Sequence, residues 1–151
     1  MKLQGNGSDV VFIYTVAVTT ADCMGAGTDA SISLDFEGEH GKSGFRTMEQ
    51  SIAGDLNLFE RGKRNTFEVK LGRSLGVLKL CSISMKANGL ASVGVDWCLD
   101  QIVITDQTSK EDYIFPVYQW LSPSDGILSV QMSSEVNEYV HHSTCVIVSD
   151  C

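Results

Sequence analysis

The residues with the clearest chemical signature lie in the segment CMGAGTDASISL, residues 23–34. Gly25, Gly27 and Ala30 fit the Gly-x-Gly-x-x-Ala spacing of a dinucleotide-binding turn. Asp29 adds a carboxylate and the glycines offer backbone carbonyls, so the segment also carries the oxygen ligands that Ca²⁺ prefers. An Asp in such a position also closes ordinary turns by accepting hydrogen bonds from backbone N–H groups. The segment is therefore a phosphate cradle, a metal-binding loop or a simple turn.

The element that follows this segment decides against the phosphate cradle. A dinucleotide-binding turn opens a helix, because the helix N-terminus supplies the free N–H groups and the dipole that hold the phosphate. Here residues 30–36 alternate, with Ile32, Leu34 and Phe36 on one side, and this pattern predicts a strand. The stretch GEHGKSG also fails as a P-loop, since Phe36 occupies the position of the first glycine. The metal loop and the simple turn remain.

Apolar residues alternate with period two along most of the chain, which is typical of strands with one buried face. The predicted strands lie at residues 10–18, 30–36, 65–69, 76–85, 97–105, 112–118 and 126–132. Turn-forming residues separate them. The best helical candidate, residues 48–58, contains Gly54. Short alternating strands at this spacing predict an all-β antiparallel sandwich or barrel.

Length and charge limit the possible partners. A chain of 151 residues suits a single domain that buries about two-thirds of its unfolded surface. Eleven Lys and Arg against 19 Asp and Glu give a net charge of −8, which disfavours nucleic acid as a partner. The same charge opposes binding to an anionic membrane, so any membrane role needs a cation or an exposed apolar tip.

The cysteines and the hydropathy pattern bear on location. The five cysteines are odd in number and show no Cys-x-x-Cys spacing: Cys23, Cys81, Cys98, Cys145 and Cys151. We expect reduced thiols, partly in the core, and a location in the cytoplasm or at the cytoplasmic surface of a membrane. No run approaches the roughly 18 apolar residues of a transmembrane segment.

Catalysis has little support in the sequence. The nucleophile elbow Gly-x-Ser-x-Gly does not occur. His40, His141 and His142 lack the i, i+4 spacing by which two histidines on one helix bind zinc. We therefore do not expect an enzyme, and at most a non-catalytic domain of one.

Five segments in a fixed order carry a family resemblance: YTVAVTTADCMGAGTDASISLDFEG, LFERGKRNTFEV, LGVLKLCSISM, DWCLDQIVITD and YIFPVYQWL. Together they resemble the PLAT domain, also called the lipoxygenase homology or LH2 domain. The most specific landmarks are the Gly-Thr-Asp turn, Phe-Glu-Arg-Gly, Asp-Trp-x-Leu and Phe-Pro-x-x-x-Trp-Leu. The resemblance covers residues 12–121 and implies an antiparallel β-sandwich of two packed sheets, with Trp97 and Trp120 in its core. Residues 1–11 are then a lead-in, and residues 122–151 are a C-terminal extension that adds an edge strand or links to another domain.

The resemblance also implies a function. PLAT domains are non-catalytic attachment modules that dock larger proteins to membrane lipid or to partner proteins, and several use Ca²⁺ held by loops at one end of the sandwich. The positions that match this loop site are Gly25, Gly27, Asp29, Asn57, Glu60 and Asp96. Leu58 and the Lys86–Gly89 segment stand where many calcium-binding relatives carry acids. Because affinity falls with ligand charge, we expect weak binding, with a Kd of about 10⁻⁴–10⁻³ M, or none.

The resemblance places apolar membrane contacts on the same loops, at Met24 and at Val93 or Val95. Such aliphatic tips each contribute about 1.5–3 kcal/mol on burial, so we expect weak, cation-dependent membrane binding. The alternative is a calcium-independent protein–protein interaction module. It would use a basic patch at Lys63, Arg64, Lys70 and Arg73.

Overall fold

The computed structural model describes residues 10–88 and 95–133. Within them it forms nine strands and one short 3₁₀ helix, but no α-helix. The strands are β1 (Phe12–Thr20), β2 (Ser31–Gly38), β3 (Gly41–Lys42), β4 (Arg46–Thr47), β5 (Arg64–Leu71), β6 (Leu78–Lys86), β7 (Trp97–Asp106), β8 (Glu111–Leu121) and β9 (Leu128–Gln131). The 3₁₀ helix, Pro123–Asp125, precedes β9. No helix in these two ranges has the length and apolar character needed to cross a bilayer.

The strands form two antiparallel sheets. The first sheet has the order β5-β1-β7-β8. The second has the order β3-β2-β6-β9, with β4 pairing to β2. This arrangement confirms the predicted all-β fold, an antiparallel sandwich of two packed sheets.

The core lies between the two sheets and follows the period-two pattern of the sequence. In β2 the buried side chains are Ile32, Leu34 and Phe36, and their neighbours along the strand are partly exposed. The ring of Phe36 contacts that of Tyr14 in β1 across the core, with ring centroids 5.4 Å apart. The sandwich therefore forms because one face of each sheet is apolar and must be buried against the other.

The two tryptophans differ in burial. Trp97 is fully buried, and its indole N–H donates to Oγ1 of Thr20 at 2.9 Å. Trp120 is only partly buried and packs against a separate small cluster of Ala21, Cys23, Ala26 and Cys98. The core position expected from the family resemblance is thus right for Trp97, whereas Trp120 covers a satellite cluster.

The second sheet extends beyond residue 121. β9 pairs with β6 in the register Ile83↔Leu128, so it forms the edge strand that the sequence left open. β3 and β4 were not predicted because two residues are too few to show periodicity. Residues 1–9 and 134–151, which include most of the expected lead-in and extension, lie outside the described residues.

Candidate functional site

Three loops meet at one end of the sandwich, which we call the rim. They are loop 1 (residues 21–30), loop 2 (residues 48–63) and loop 3 (residues 87–96, described except for 89–94). Thr20, the last residue of β1, pairs with Leu99 near the start of β7. Its N–H also donates to the carbonyl of Lys63 at the end of loop 2. The antiparallel strand order therefore brings all three loops to the same end.

Loop 1 and loop 2 contact each other through Gly27. A Cβ atom at this position would lie 3.1 Å from the carbonyl oxygen of Phe59 and 3.2 Å from Oε2 of Glu60. The neighbouring N–H of Thr28 donates to that carbonyl at 3.1 Å. Gly25 has a φ of 75°, in the left-handed region that favours glycine. The glycine spacing noted in the sequence therefore serves a turn and a close approach of two loops.

Thr28, rather than Asp29, closes the turn in loop 1. Its Oγ1 accepts a hydrogen bond from the N–H of Ala30 and donates one to the carbonyl of Val95 in loop 3. The side chain of Asp29 is exposed and forms no hydrogen bond or ion pair with any described residue. Its backbone carbonyl accepts from Nδ2 of Asn88 at 2.9 Å. The Asp29 carboxylate is therefore held at the rim by its neighbours while its oxygens face solvent.

Loop 2 is fixed by a network around Asn65. This buried side chain accepts from the N–H of Phe59 and donates to Oδ2 of Asp55, each at 2.9 Å. The hydroxyl of Ser51 donates to the same carboxylate oxygen at 2.7 Å. Hydrogen bonds from Ser51 and then from Asn65 lower the pKa of Asp55, because they favour the charged form. This network holds the segment that carries Glu60.

Two shallow hollows at the rim collect most of the predicted ligands. The first, of about 370 Å³, is lined by Gly25, Ala26, Gly27, Thr28, Asp29, Glu60 and Arg61. The second, of about 380 Å³, also includes Asp29 and adds Asn57, with Glu49 and Asn88 as further polar neighbours that the sequence did not single out. Asp96 is exposed and lines neither hollow, so its role as a ligand stays a prediction.

These residues offer few of the oxygen ligands that Ca²⁺ requires. Ca²⁺ takes six to eight oxygens, and the first hollow offers two carboxylates, those of Asp29 and Glu60. The described ranges contain no group of three His, Cys, Asp or Glu side chains that could hold a metal ion. Arg61 also lines the first hollow, and its Nε lies 3.0 Å from Oδ1 of Asp22. Backbone carbonyls and water would have to complete the coordination, next to a fixed cation.

Of the described rim residues, three large apolar side chains are exposed: Met24 and Leu56 strongly, and Ile52 at 59%. Met24 in loop 1 is 83% exposed, as its predicted role requires, and Leu56 in loop 2 is 98% exposed. Val95 is a correction: it is only 8% exposed and belongs to the core, so it cannot serve as a membrane contact. Val93 lies outside the described residues. Leu56 was not predicted from the sequence, although the turn residues Gly54 and Asp55 before it indicate that it stands on a loop.

Comparisons with known proteins agree with this geometry. The PLAT/LH2 domain family matches residues 14–131. The chain is 36% identical over 113 residues to lipoxygenase homology domain-containing protein 1 of Homo sapiens, which covers 75% of this chain and 5% of that protein. It is 29% identical over 109 residues to the allene oxide synthase-lipoxygenase protein of Plexaura homomalla, which covers 72% of this chain and 10% of that protein.

A solved structure also resembles this fold. Coral 8R-lipoxygenase, described as activated by calcium through a C2-like domain, superposes with a TM-score of 0.66 at 25% identity. The match covers 87% of this chain and 19% of that one. This chain thus corresponds to a small part of each of these proteins. Because the family match extends over most of its length and over both sheets, the chain belongs to the PLAT/LH2 domain family.

Proposed function

We propose that this domain is a non-catalytic attachment module that docks a larger protein to membrane lipid through its rim, assisted by weak Ca²⁺ binding. One observation carries the proposal: exposed apolar side chains, Met24 and Leu56, stand on the same two loops that line the hollows around Asp29. Exposed apolar tips suit contact with acyl chains. The carboxylates beside them suit contact with lipid phosphates through a shared Ca²⁺ ion.

The energies explain why a cation is needed. Inserting Met24 and Leu56 contributes about 1.5–3 kcal/mol each at full burial, which is near the strength of a marginal anchor. The net charge of −8 opposes the approach to an anionic surface. A Ca²⁺ ion shared between Asp29, Glu60 and lipid phosphates would replace this repulsion with attraction at the point of contact.

One relative supports the calcium part of this proposal. Coral 8R-lipoxygenase is described as activated by calcium through a C2-like domain, and this chain matches that enzyme over 87% of its own length. We propose that the chain uses the equivalent end of its sandwich. We expect this chain to bind calcium more weakly than such relatives. It lacks acids at Leu58 and in the Lys86–Gly89 segment, and Arg61 adds a positive charge beside the first hollow.

The test is sedimentation of the full 151-residue chain with phosphatidylserine-containing vesicles in Ca²⁺. Met24→Asp and Leu56→Asp should each lower the partition coefficient by at least about tenfold, because each removes an inserted apolar side chain and adds a repelled charge. Val77→Asp is the matched control, since Val77 is 46% exposed at the opposite end of the sandwich. An equal loss in all three variants would contradict insertion through the rim.

A second candidate function is calcium-independent binding of a partner protein. It is favoured by a different surface, the outer edge of β5, which borders a groove and carries Arg64 and Lys70 of the exposed basic patch.

A further inference from the structure

The outer edge of β5 has backbone groups that no described residue pairs. β5 lies at the edge of its sheet, and within residues 10–88 and 95–133 it pairs only with β1. The carbonyl of Thr66 accepts a hydrogen bond from the N–H of Ile52 at 2.7 Å, so the backbone of Thr66 points away from β1. Since this direction alternates along an antiparallel strand, the backbones of Glu68 and Lys70 point outward too. No described residue hydrogen-bonds to their N–H or C=O groups.

A groove of about 650 Å³ runs along this unpaired edge. One wall is formed by residues 67–70 of β5, and the other by residues 45–50, which include β4. Phe45 on the second wall is 46% exposed. Its ring gives the groove an apolar side next to the polar backbone edge. An edge strand with unpaired N–H and C=O groups is a template for pairing with another extended chain.

The charges along the edge are opposite in sign to the charge of the whole molecule. Basic side chains outnumber acidic ones here by five to three: Lys63, Arg64, Lys70, Arg73 and Arg46 against Glu49, Asp55 and Glu68. The local sum is therefore +2, in a chain whose net charge is −8. The ion pair of Lys70 with Glu68, at 3.6 Å, is exposed and leaves the local excess of positive charge in place.

We propose that the edge of β5 binds an extended acidic segment of a partner protein by strand addition. The segment's backbone pairs with Glu68 and Lys70. Because side chains alternate in a strand, every second residue of the segment faces the groove beside Phe45, and the others lie on the face of Arg64, Glu68 and Lys70, where two cations stand against one carboxylate. The favoured ligand thus alternates apolar and acidic residues. The inference rests on the second candidate function. The groove shares Thr47, Met48 and Glu49 with the second hollow but includes neither Asp29 nor Glu60.

The test uses the full chain and a synthetic seven-residue peptide amide that alternates glutamate and valine. On titration, NMR should show saturable shifts and slower amide hydrogen exchange at Glu68 and Lys70. Two control peptides separate the two contributions: one is N-methylated on alternate residues, and one has lysine in place of glutamate. Each should bind at least about tenfold more weakly, because the first loses hydrogen bonds and the second reverses the charge.

Variants test the same edge from the protein side. Lys70→Pro removes an outward N–H that β1 does not use, and Pro is tolerated on edge strands. It should weaken binding of the acidic peptide at least about tenfold. If circular dichroism shows that it does not fold, Arg64→Glu with Lys70→Glu should give a similar loss. Lys79→Glu in the other sheet is the control and should leave binding unchanged.

Several results would overturn the proposal. They are the absence of saturable peptide binding, binding that survives both N-methylation and Lys70→Pro, and dimerisation of the chain that Lys70→Pro abolishes. The chain could also bind anionic vesicles in the absence of peptide. If Arg64→Glu with Lys70→Glu weakens that vesicle binding, the edge of β5 is a lipid-binding surface instead. The membrane proposal is tested separately, since Asp29→Asn should leave peptide binding intact.

Discussion

The backbone N–H of Phe59 donates a hydrogen bond to Oδ1 of the buried Asn65 side chain at 2.9 Å. Phe59 has a φ of 60°, a conformation that is costly for a residue with a large side chain. Its ring packs on Phe67 and Trp97, with centroid distances of 5.8 and 5.3 Å. The hydrogen bond and these ring contacts hold a strained backbone, and Glu60 follows directly in the chain.

Replacing Asn65 should therefore destabilise the whole domain. Asn65→Ala leaves the N–H of Phe59 without its partner and removes a hydrogen bond to Asp55, so we expect a loss of about 1–3 kcal/mol in the free energy of unfolding. Urea denaturation measures this. Asn57→Ala, at an exposed position on the same loop, should change stability by less than about 0.5 kcal/mol. Equal stability of the two variants would contradict this role of Asn65.

The carboxylate of Asp55 should make stability depend on pH. Its pKa in the folded state is lowered by hydrogen bonds from Ser51 and Asn65, so the folded state favours the charged form. The resulting stabilisation is present above the unfolded-state pKa of about 3.9 and is lost as the pH falls through the folded-state pKa. Asp55→Asn should flatten the dependence of unfolding free energy on pH in the acid range. An unchanged slope would contradict the assignment.

The sequence predicts the strands well and the rim only in part. Alternation locates the long strands because each buries one face, and Ile32, Leu34 and Phe36 are an example. The family resemblance, not alternation, assigns Val95 to a loop tip, and the structure places it in the core, where Thr28 donates a hydrogen bond to its carbonyl. Such a contact joins residues 67 positions apart, and a single sequence carries no local signal for it.

Arg61 should weaken calcium binding at the first hollow. Its positive charge lines the same hollow as Asp29 and Glu60 and opposes a divalent cation by Coulomb repulsion. Arg61→Ala should therefore tighten Ca²⁺ binding by a factor of about three to ten in a calorimetric titration at low salt. Lys79→Ala removes the same charge from the other end of the sandwich and should have little effect. Weaker binding in Arg61→Ala would show that this side chain supports the site.

The thiol of Cys81 should be inert in the folded protein. It is fully buried, and burial, together with the negative charge of Asp35, raises its pKa to about 12. Alkylation requires the thiolate, so iodoacetamide at pH 8 should modify Cys81 only after unfolding. Peptide mapping by mass spectrometry after a timed reaction, with and without urea, measures this. Modification in the native protein at the rate of free cysteine would contradict the burial.

The central claim is that Asp29 and Glu60 together link calcium to lipid binding. The decisive measurement is the fraction of chain that pellets with phosphatidylserine-containing vesicles, as a function of Ca²⁺ concentration and after addition of chelator. The rim variant is the double substitution Asp29→Asn with Glu60→Gln. The control variant, Glu37→Gln with Glu111→Gln, removes the same amount of negative charge from exposed strand positions near the opposite end of the sandwich.

We predict that pelleting of the unmodified chain rises with Ca²⁺ in the range of about 10⁻⁴–10⁻³ M and is reversed by chelator. The rim variant should lose this dependence, although its lower negative charge alone would favour the vesicles, and the control variant should keep it. Equal pelleting of the unmodified chain in Ca²⁺ and in chelator, or a calcium response that survives in the rim variant, would contradict the account.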